Sequence, residues 1–124
     1  MGTILLLLSG DVHPNPGPIP QSNNCKSDLT LCHLNIRSLS QDKLRCIRTS
    51  LAPSYDIIAI TETFLGRHQP DTDYNLPGFH SIIRRDRAGS VGGRVALFVS
   101  RALKVKRRAD LEIPGIEILW VKIH

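Results

Sequence analysis

The feature that most constrains this chain is a succession of strand, helix and strand patterns between residues 29 and 63. LTLCHLN (29–35) alternates apolar side chains, and SLSQDKLRCIRTSLAP (38–53) repeats leucine and isoleucine at helical spacing. YDIIAITET (55–63) is apolar on both faces, which is typical of a strand in a covered parallel sheet. Together these patterns predict a βαβ unit with two parallel strands and a right-handed crossover.

Both predicted strands end in a polar side chain, Asn35 on the first and Glu62 on the second. The carboxyl ends of parallel strands meet at the edge where ligands collect, so we expect these residues to be neighbours. A carboxylate is costly to bury unless it is paired, protonated or bound to a cation, and Mg²⁺ takes carboxylate oxygens with waters. The plain alternative is that Glu62 faces water and Asn35 begins a turn.

The rest of the chain predicts a loop and several short strands. Residues 64–78 are rich in Pro, Gly and Asp, and AGSVGG (88–93) suits a hairpin turn. The last strand pattern runs up to His124 with nothing to cover it, which suggests a truncated domain. The four strand patterns are FHSIIRR (79–85), RVALFVS (94–100), LKVKRR (103–108) and IEILWVKI (116–123).

Charge and cysteine content restrict the partners and the compartment. Lys and Arg number 16 against 11 Asp and Glu, a net charge of +5 that suits a polyanion or simply a basic surface. Cys25, Cys32 and Cys46 are an odd set without CxxC spacing, which favours reduced thiols inside the cell, in cytoplasm or nucleus. The apolar run at 4–8 is too short for a membrane span or a signal peptide, which argues against a membrane partner and against secretion.

Several segments resemble a known family in order and spacing. The resemblance is to the first half of an endonuclease/exonuclease/phosphatase domain, and more narrowly to the apurinic-type endonuclease that begins the polyprotein of non-LTR (LINE-type) retrotransposons. It implies an α/β (α+β) two-sheet sandwich flanked by helices, DNase I-like, of which residues 29–124 supply only the N-terminal half. The segments are LCHLNIRSL (31–39), DIIAITETFL (56–65), LPGFHSIIRRDR (76–87), GGRVALFVS (92–100) and IEILWVKI (116–123).

The resemblance also implies roles for individual residues. Asn35 matches the family's active-site asparagine and Glu62 its metal-binding glutamate, with Mg²⁺ or Mn²⁺ as cofactor. In that family the metal and a histidine–aspartate pair drive water against a DNA phosphodiester, nicking one strand to prime reverse transcription. The implied partners are DNA and the rest of the polyprotein, including the missing half of the domain and the reverse transcriptase.

The chain also departs from the family. Its later YRPP-like, GDFN-like and SDH-like motifs are absent, and no histidine here has an aspartate at a recognisable spacing, so we expect the chain alone to be inactive. Arg94 stands at the third position of a turn that is usually GGG. Two alternatives stay open: a phosphatase or phospholipase relative, and a non-catalytic remnant or nucleic-acid-binding module.

Basic residues supply the predicted contacts to DNA. Arg37, Arg84 and Arg85, together with Asn35, are expected to bind the nucleic acid, the arginines by neutralising backbone phosphates. We place this contact at the edge formed by Asn35 and Glu62. The basic strand pattern at 103–108 fits a solvated edge strand instead.

Residues 1–28 form a predicted leader that contains GDVHPNPGP (10–18). This string resembles the ribosome-skipping peptide, D-x-E-x-N-P-G-P, which also occurs at the head of some non-LTR retrotransposon polyproteins. The resemblance implies release of the nascent peptide after Gly17, although His13 replaces the glutamate; the alternative is a proline-rich linker. The matching residues are Asp11, Asn15, Pro16, Gly17 and Pro18.

Overall fold

In a computed structural model of the chain, the described residues are 3–8, 28–86 and 94–124, the first group for its backbone alone. The skipping-like motif (Asp11–Pro18), Cys25 and the predicted 88–93 turn lie outside these residues. The described elements are β1 (Thr3–Leu8), β2 (Leu31–Asn35), α1 (Gln41–Ser50), β3 (Ile57–Thr61), β4 (Ile83–Arg85), β5 (Val95–Val99), β6 (Val105–Arg107) and β7 (Ile118–Ile123), with 3₁₀ turns at Asp71–Asp73 and Ala109–Leu111.

The predicted βαβ unit is confirmed. β2 and β3 pair in parallel, with Asn35 opposite Thr61, and α1 connects them. β5 lies antiparallel beside β3, and β4 beside β5, giving a four-stranded sheet in the order β2-β3-β5-β4. The strands predicted in the second half are present, but each is shorter than its sequence pattern.

Helix α1 begins and ends where its sequence predicts. The Ser40 hydroxyl accepts a hydrogen bond from the Lys43 amide at 3.2 Å, which satisfies a first-turn donor that lacks a helical partner. Leu44 and Ile47 are buried on one face of the helix. The helix ends at Ser50, shortly before Pro53, which cannot continue it.

The two central strands of the four-stranded sheet, β3 and β5, are buried on both faces, whereas β2 and β4 are half-buried. Alternate residues of β3 and β5, such as Ile58 and Phe98, pack with α1 and the loop after β3. Their neighbours, such as Ala59 and Leu97, pack against Leu119 and the other inward residues of β7. The described chain is therefore a small mixed α/β domain with two sheets, and its α-helix lies on the outer face of the larger sheet.

The second sheet contains a strand that the sequence analysis did not predict. β1 lies within the predicted leader and pairs antiparallel with β7 along its whole length, from Thr3 opposite Ile123 to Leu8 opposite Ile118. β6 pairs with the other edge of β7, so the strand order is β1-β7-β6. The last strand therefore lies in the middle of a sheet, where the sequence analysis expected nothing to cover it.

Candidate functional site

The chain segments that leave β2 and β3 run side by side beyond the sheet. The amides of Ile36, Ser38 and Leu39 donate to the carbonyls of the Thr61–Thr63 segment at 3.0, 2.8 and 2.8 Å. We call this edge, residues 35–39 and 61–64 with Arg94 beside them, the strand-end rim. Arg94 belongs to it because its carbonyl accepts from the Thr63 amide at 3.2 Å. The predicted juxtaposition of the two strand ends is thus present in the backbone.

The strand-end rim concentrates unusual backbone conformations. Among the described residues, every non-glycine residue with positive φ belongs to it. The left-handed region costs a side-chain-bearing residue about 1–2 kcal/mol, and such residues cluster at functional sites. The φ values are 43° at Arg37, 80° at Ser38, 54° at Glu62, 55° at Phe64 and 77° at Arg94.

Three predicted site residues meet at the rim. Asn35 and Arg37 are exposed and Glu62 is half-buried. Their side chains make no hydrogen bond or ion pair with any residue that the structure describes. They are therefore available to a ligand, and the roles suggested for them stay predictions.

A histidine lies below Asn35 on the same face of β2. The His33 Nε2 atom lies 3.2 Å from the Thr61 hydroxyl, which in turn donates to the Leu34 carbonyl at 3.4 Å. Burial lowers the pKa of His33, which favours the neutral ring. Across residues 28–86 and 94–124, no histidine contacts a carboxylate, so the described chain holds no histidine–aspartate pair.

Lys43 supports the rim and was missed by the sequence analysis. Its Nζ donates to the carbonyls of Ile36 and Arg37 at 2.8 and 2.9 Å, which ties α1 to the strained turn. A signal for this contact was present in the sequence. A lysine in the first turn of a helix interacts unfavourably with the helix dipole. Its presence at position 43 therefore indicates that the ammonium group makes a favourable contact elsewhere.

The rim can contribute to a magnesium site but does not enclose one. No group of three or more His, Cys, Asp or Glu side chains in the described residues is arranged to hold a metal. Mg²⁺ in phosphoryl-transfer sites is held by one or two carboxylates, with waters and substrate phosphates completing the shell. The unpaired Glu62 carboxylate fits one such ligand, and the Asn35 amide oxygen lies on the adjacent strand end.

Arg84 and Arg85, by contrast, are engaged by protein groups. The Arg84 side chain is 12% exposed, lies 3.3 Å from both Asp71 and Asp86, and donates to the Gly66 carbonyl. Arg85 donates to two backbone carbonyls at 2.9 and 2.8 Å and lies 3.5 Å from Glu112. Both guanidinium groups are thus held by contacts within the protein, and their predicted binding to DNA stays a prediction.

These groups belong to a larger set between β4 and β6, which we call the arginine cluster: Arg84, Arg85, Arg107, Asp71, Asp86 and Glu112. Arg107 donates to both Glu112 oxygens at 2.9 and 2.8 Å and to the Arg84 carbonyl. A groove of about 770 Å³ opens here, lined by Arg67, His80 and much of the cluster. Asn35 and Glu62 do not line it, and its charges largely neutralise one another. The rim is therefore the better candidate site on chemical grounds.

Burial perturbs one acid in this groove. Desolvation raises the pKa of Asp86, and the neighbouring Arg84 opposes that rise. One Asp86 oxygen and one Arg84 nitrogen are buried without a hydrogen-bond partner among the described residues. The arginine cluster is thus partly desolvated, at some cost in unsatisfied polar atoms.

Comparisons with protein-family models, curated proteins and solved structures found no match to this chain. Within the described residues, no helix is long and apolar enough to cross a membrane.

Proposed function

We propose that this chain supplies the metal-binding half of a Mg²⁺-dependent DNA endonuclease of the apurinic type found in non-LTR retrotransposons. In this proposal the two sheets form the first half of a DNase I-like sandwich. A further segment of the same polyprotein completes the active site. The protein acts inside the cell on DNA.

One observation supports the proposal most strongly. An amide, Asn35, and a carboxylate, Glu62, lie at the ends of adjacent parallel strands, and neither has a polar partner in the described chain. Glu62 is held at φ 54° by backbone hydrogen bonds from the neighbouring segment. Retaining a strained, unpaired acid lowers stability, and a bound cation would give it a function.

The residues of the rim have distinct tasks in this proposal. Glu62 would hold Mg²⁺ or Mn²⁺, which supplies Lewis-acid stabilisation to the phosphodiester when bound. Asn35 would orient a phosphate oxygen through its amide, and Arg37 would neutralise a neighbouring phosphate. Lys43 would position Asn35 and Arg37 by fixing the turn between β2 and α1.

A second candidate is a nucleic-acid-binding module without catalysis. It is favoured by the missing histidine–carboxylate pair in the described residues, since a general base is needed to activate water. Both candidates predict binding to DNA. They differ in whether additional sequence turns the rim into an active site.

Plasmid nicking separates the two candidates. The chain alone is expected to leave supercoiled plasmid intact with Mg²⁺. A longer chain that continues through the coding sequence beyond His124 is expected to nick it. Loss of nicking in the longer chain on Glu62→Asn substitution would support the endonuclease. A longer chain that binds DNA but never nicks would support the binding module, and nicking that survives Glu62→Asn would refute the role given to Glu62.

A further inference from the structure

The pairing of β1 with β7 is unusual because the two strands lie at opposite ends of the sequence. β1 (Thr3–Leu8) runs antiparallel to β7 (Ile118–Ile123) over six residue pairs. Residues 9–27 connect β1 to the remaining described chain.

One edge of β7 is already closed by other parts of the domain. Lys104 and His124 exchange backbone hydrogen bonds of 3.3 and 2.8 Å, and the Arg108 amide donates to the Trp120 carbonyl at 2.7 Å. The Arg85 guanidinium reaches the Ile118 carbonyl at 2.9 Å. The even-numbered residues of β7 therefore direct their backbone groups toward β6.

Successive residues of a strand direct their backbone groups to opposite edges. The odd-numbered residues Leu119 and Val121 therefore direct their N–H and C=O groups toward β1. The register places Leu7 and Leu5 of β1 opposite them. Among the described residues, β1 is the strand that pairs with this edge.

An uncovered β7 would be a liability. It would present a six-residue edge whose side chains alternate into the core, and such edges template pairing with other chains. Addition of an extended segment to a sheet edge is a general binding mode, in which main-chain hydrogen bonds supply much of the affinity. The segment TILLLL is apolar and β1 fills this position.

We propose that the edge of β7 opposite β6 is a strand-docking site and that its occupant is the chain's own Thr3–Leu8 segment. The site accepts an extended apolar segment in antiparallel register, and covalent continuity through residues 9–27 is not needed to keep it bound. A chain interrupted after Gly17, the position marked by the skipping-like motif, would keep its leader attached to the domain. This inference is independent of the proposed endonuclease function.

The test starts from the full chain, so that the domain folds with β1 present. A recognition sequence for a site-specific protease is placed between residues 19 and 24, and the purified protein is cut. The expected result is that the N-terminal fragment co-elutes with the rest as a one-to-one complex in size exclusion. Separation of the fragments, or a complex containing two copies of the domain, would overturn the proposal.

Two proline substitutions provide a matched pair. Proline removes the backbone donor, so Leu5→Pro deletes an N–H group directed at β7, whereas Leu6→Pro deletes an N–H group directed away from it. After cutting, Leu5→Pro should release the fragment and Leu6→Pro should retain it. Equal retention in both variants would contradict the pairing register.

A second readout does not depend on either variant. Isotope-labelled N-terminal fragment, added in excess to cut, unsubstituted protein, should replace the bound fragment. It should also preserve the slow hydrogen exchange of the Leu119 and Val121 amides. Failure of the labelled fragment to bind would overturn the proposal.

Discussion

The strand-end rim and the arginine cluster are both polar regions, but their charged groups differ in how they are satisfied. At the rim, the side chains of Asn35, Arg37 and Glu62 have no polar partner among the described residues, and two of the three residues occupy left-handed backbone. In the arginine cluster, Arg84 and Arg85 each contact several acceptors and are mostly buried. The polar side chains of the rim stay available to a ligand, whereas those of the arginine cluster are engaged in contacts within the protein.

This difference separates charged groups that are engaged within the protein from charged groups that are available to a ligand. A guanidinium that already contacts carboxylates and carbonyls would have to break those contacts to bind a phosphate. An unpaired acid on strained backbone costs stability, and a ligand can explain why it is kept. Substitutions in the arginine cluster should therefore change stability, and substitutions at the rim should change binding.

The largest expected effect on stability comes from Glu112. Its side chain is 7% exposed, accepts two hydrogen bonds from Arg107 and lies close to Arg85. Glu112→Gln leaves partly buried guanidinium groups without their counter-charge and should lower the free energy of unfolding by about 2–3 kcal/mol. Urea denaturation followed by circular dichroism measures the loss.

The matched control for that experiment is Asp110→Asn. Asp110 is paired with Arg108 at 2.7 Å, but it is exposed. Screening by water makes such a pair weak, so the urea midpoint should not change. If both variants lost the same stability, the contrast between buried and exposed pairs would be wrong.

Lowering the pH should weaken the contact between Glu112 and Arg107. The hydrogen bond from Arg107 holds the pKa of Glu112 below its ordinary value of 4.5. Its stabilising contribution is therefore complete above pH 4.5 and is lost as the pH falls through the lower folded-state pKa. The stability difference between the native chain and Glu112→Gln should shrink across that window in urea titrations. A constant difference would show that the charge of Glu112 contributes nothing.

Asp86 should show the opposite dependence on pH. Burial raises its pKa, so its contribution favours folding at low pH and is lost as the pH rises through the folded-state pKa. Asp86→Asn should therefore make the loss of stability on acidification steeper. If the free energy of unfolding fell less steeply on acidification in this variant than in the native chain, the raised pKa of Asp86 would be contradicted.

Lys43 gives a smaller, local effect at the rim. Lys43→Met keeps most of the apolar stem but removes two hydrogen bonds to the 36–37 carbonyls, at a cost of about 1 kcal/mol. Faster hydrogen exchange is expected at the Ser38 and Leu39 amides. Arg45→Met, on an exposed face of the same helix, is the control and should leave those amides protected.

The sequence predicted the part of the fold that local patterns encode. The unbroken apolar run of β3 and the capped helix fix a βαβ unit, and parallel pairing then brings Asn35 to the end of β3. The role of β1 was not predictable because its partner β7 lies more than a hundred residues along the chain. Strand pairing over that separation leaves no periodic signal near either strand.

The arginine contacts escaped prediction for a similar reason. Arg85 meets Glu112 and the Ile118 carbonyl through tertiary packing, so its sequence surroundings show only a basic strand. Arg94 carries a clearer local signal. It follows two glycines in the sequence, and its φ of 77° is a conformation that glycine adopts without strain.

The smallest expected change concerns DNA affinity. Arg37 is exposed at the rim, so Arg37→Ala should weaken binding to a short duplex several-fold and reduce the salt slope by about one. Arg45→Ala, which removes an exposed charge away from the rim, should have less effect. Fluorescence anisotropy at several salt concentrations makes the comparison. Equal losses in the two variants would place the DNA surface elsewhere.

The central claim is that Glu62, beside Asn35, binds a divalent cation, and Mn²⁺ titration followed by nuclear magnetic resonance tests it most directly. Asparagine tolerates left-handed backbone, so Glu62→Asn removes the acid without adding strain at φ 54°. We expect Mn²⁺ to broaden the Asn35 side-chain amide and the neighbouring backbone amides in the native chain and in Asp110→Asn, but not in Glu62→Asn. Equal broadening in Glu62→Asn, or broadening centred on the arginine cluster, would contradict the account.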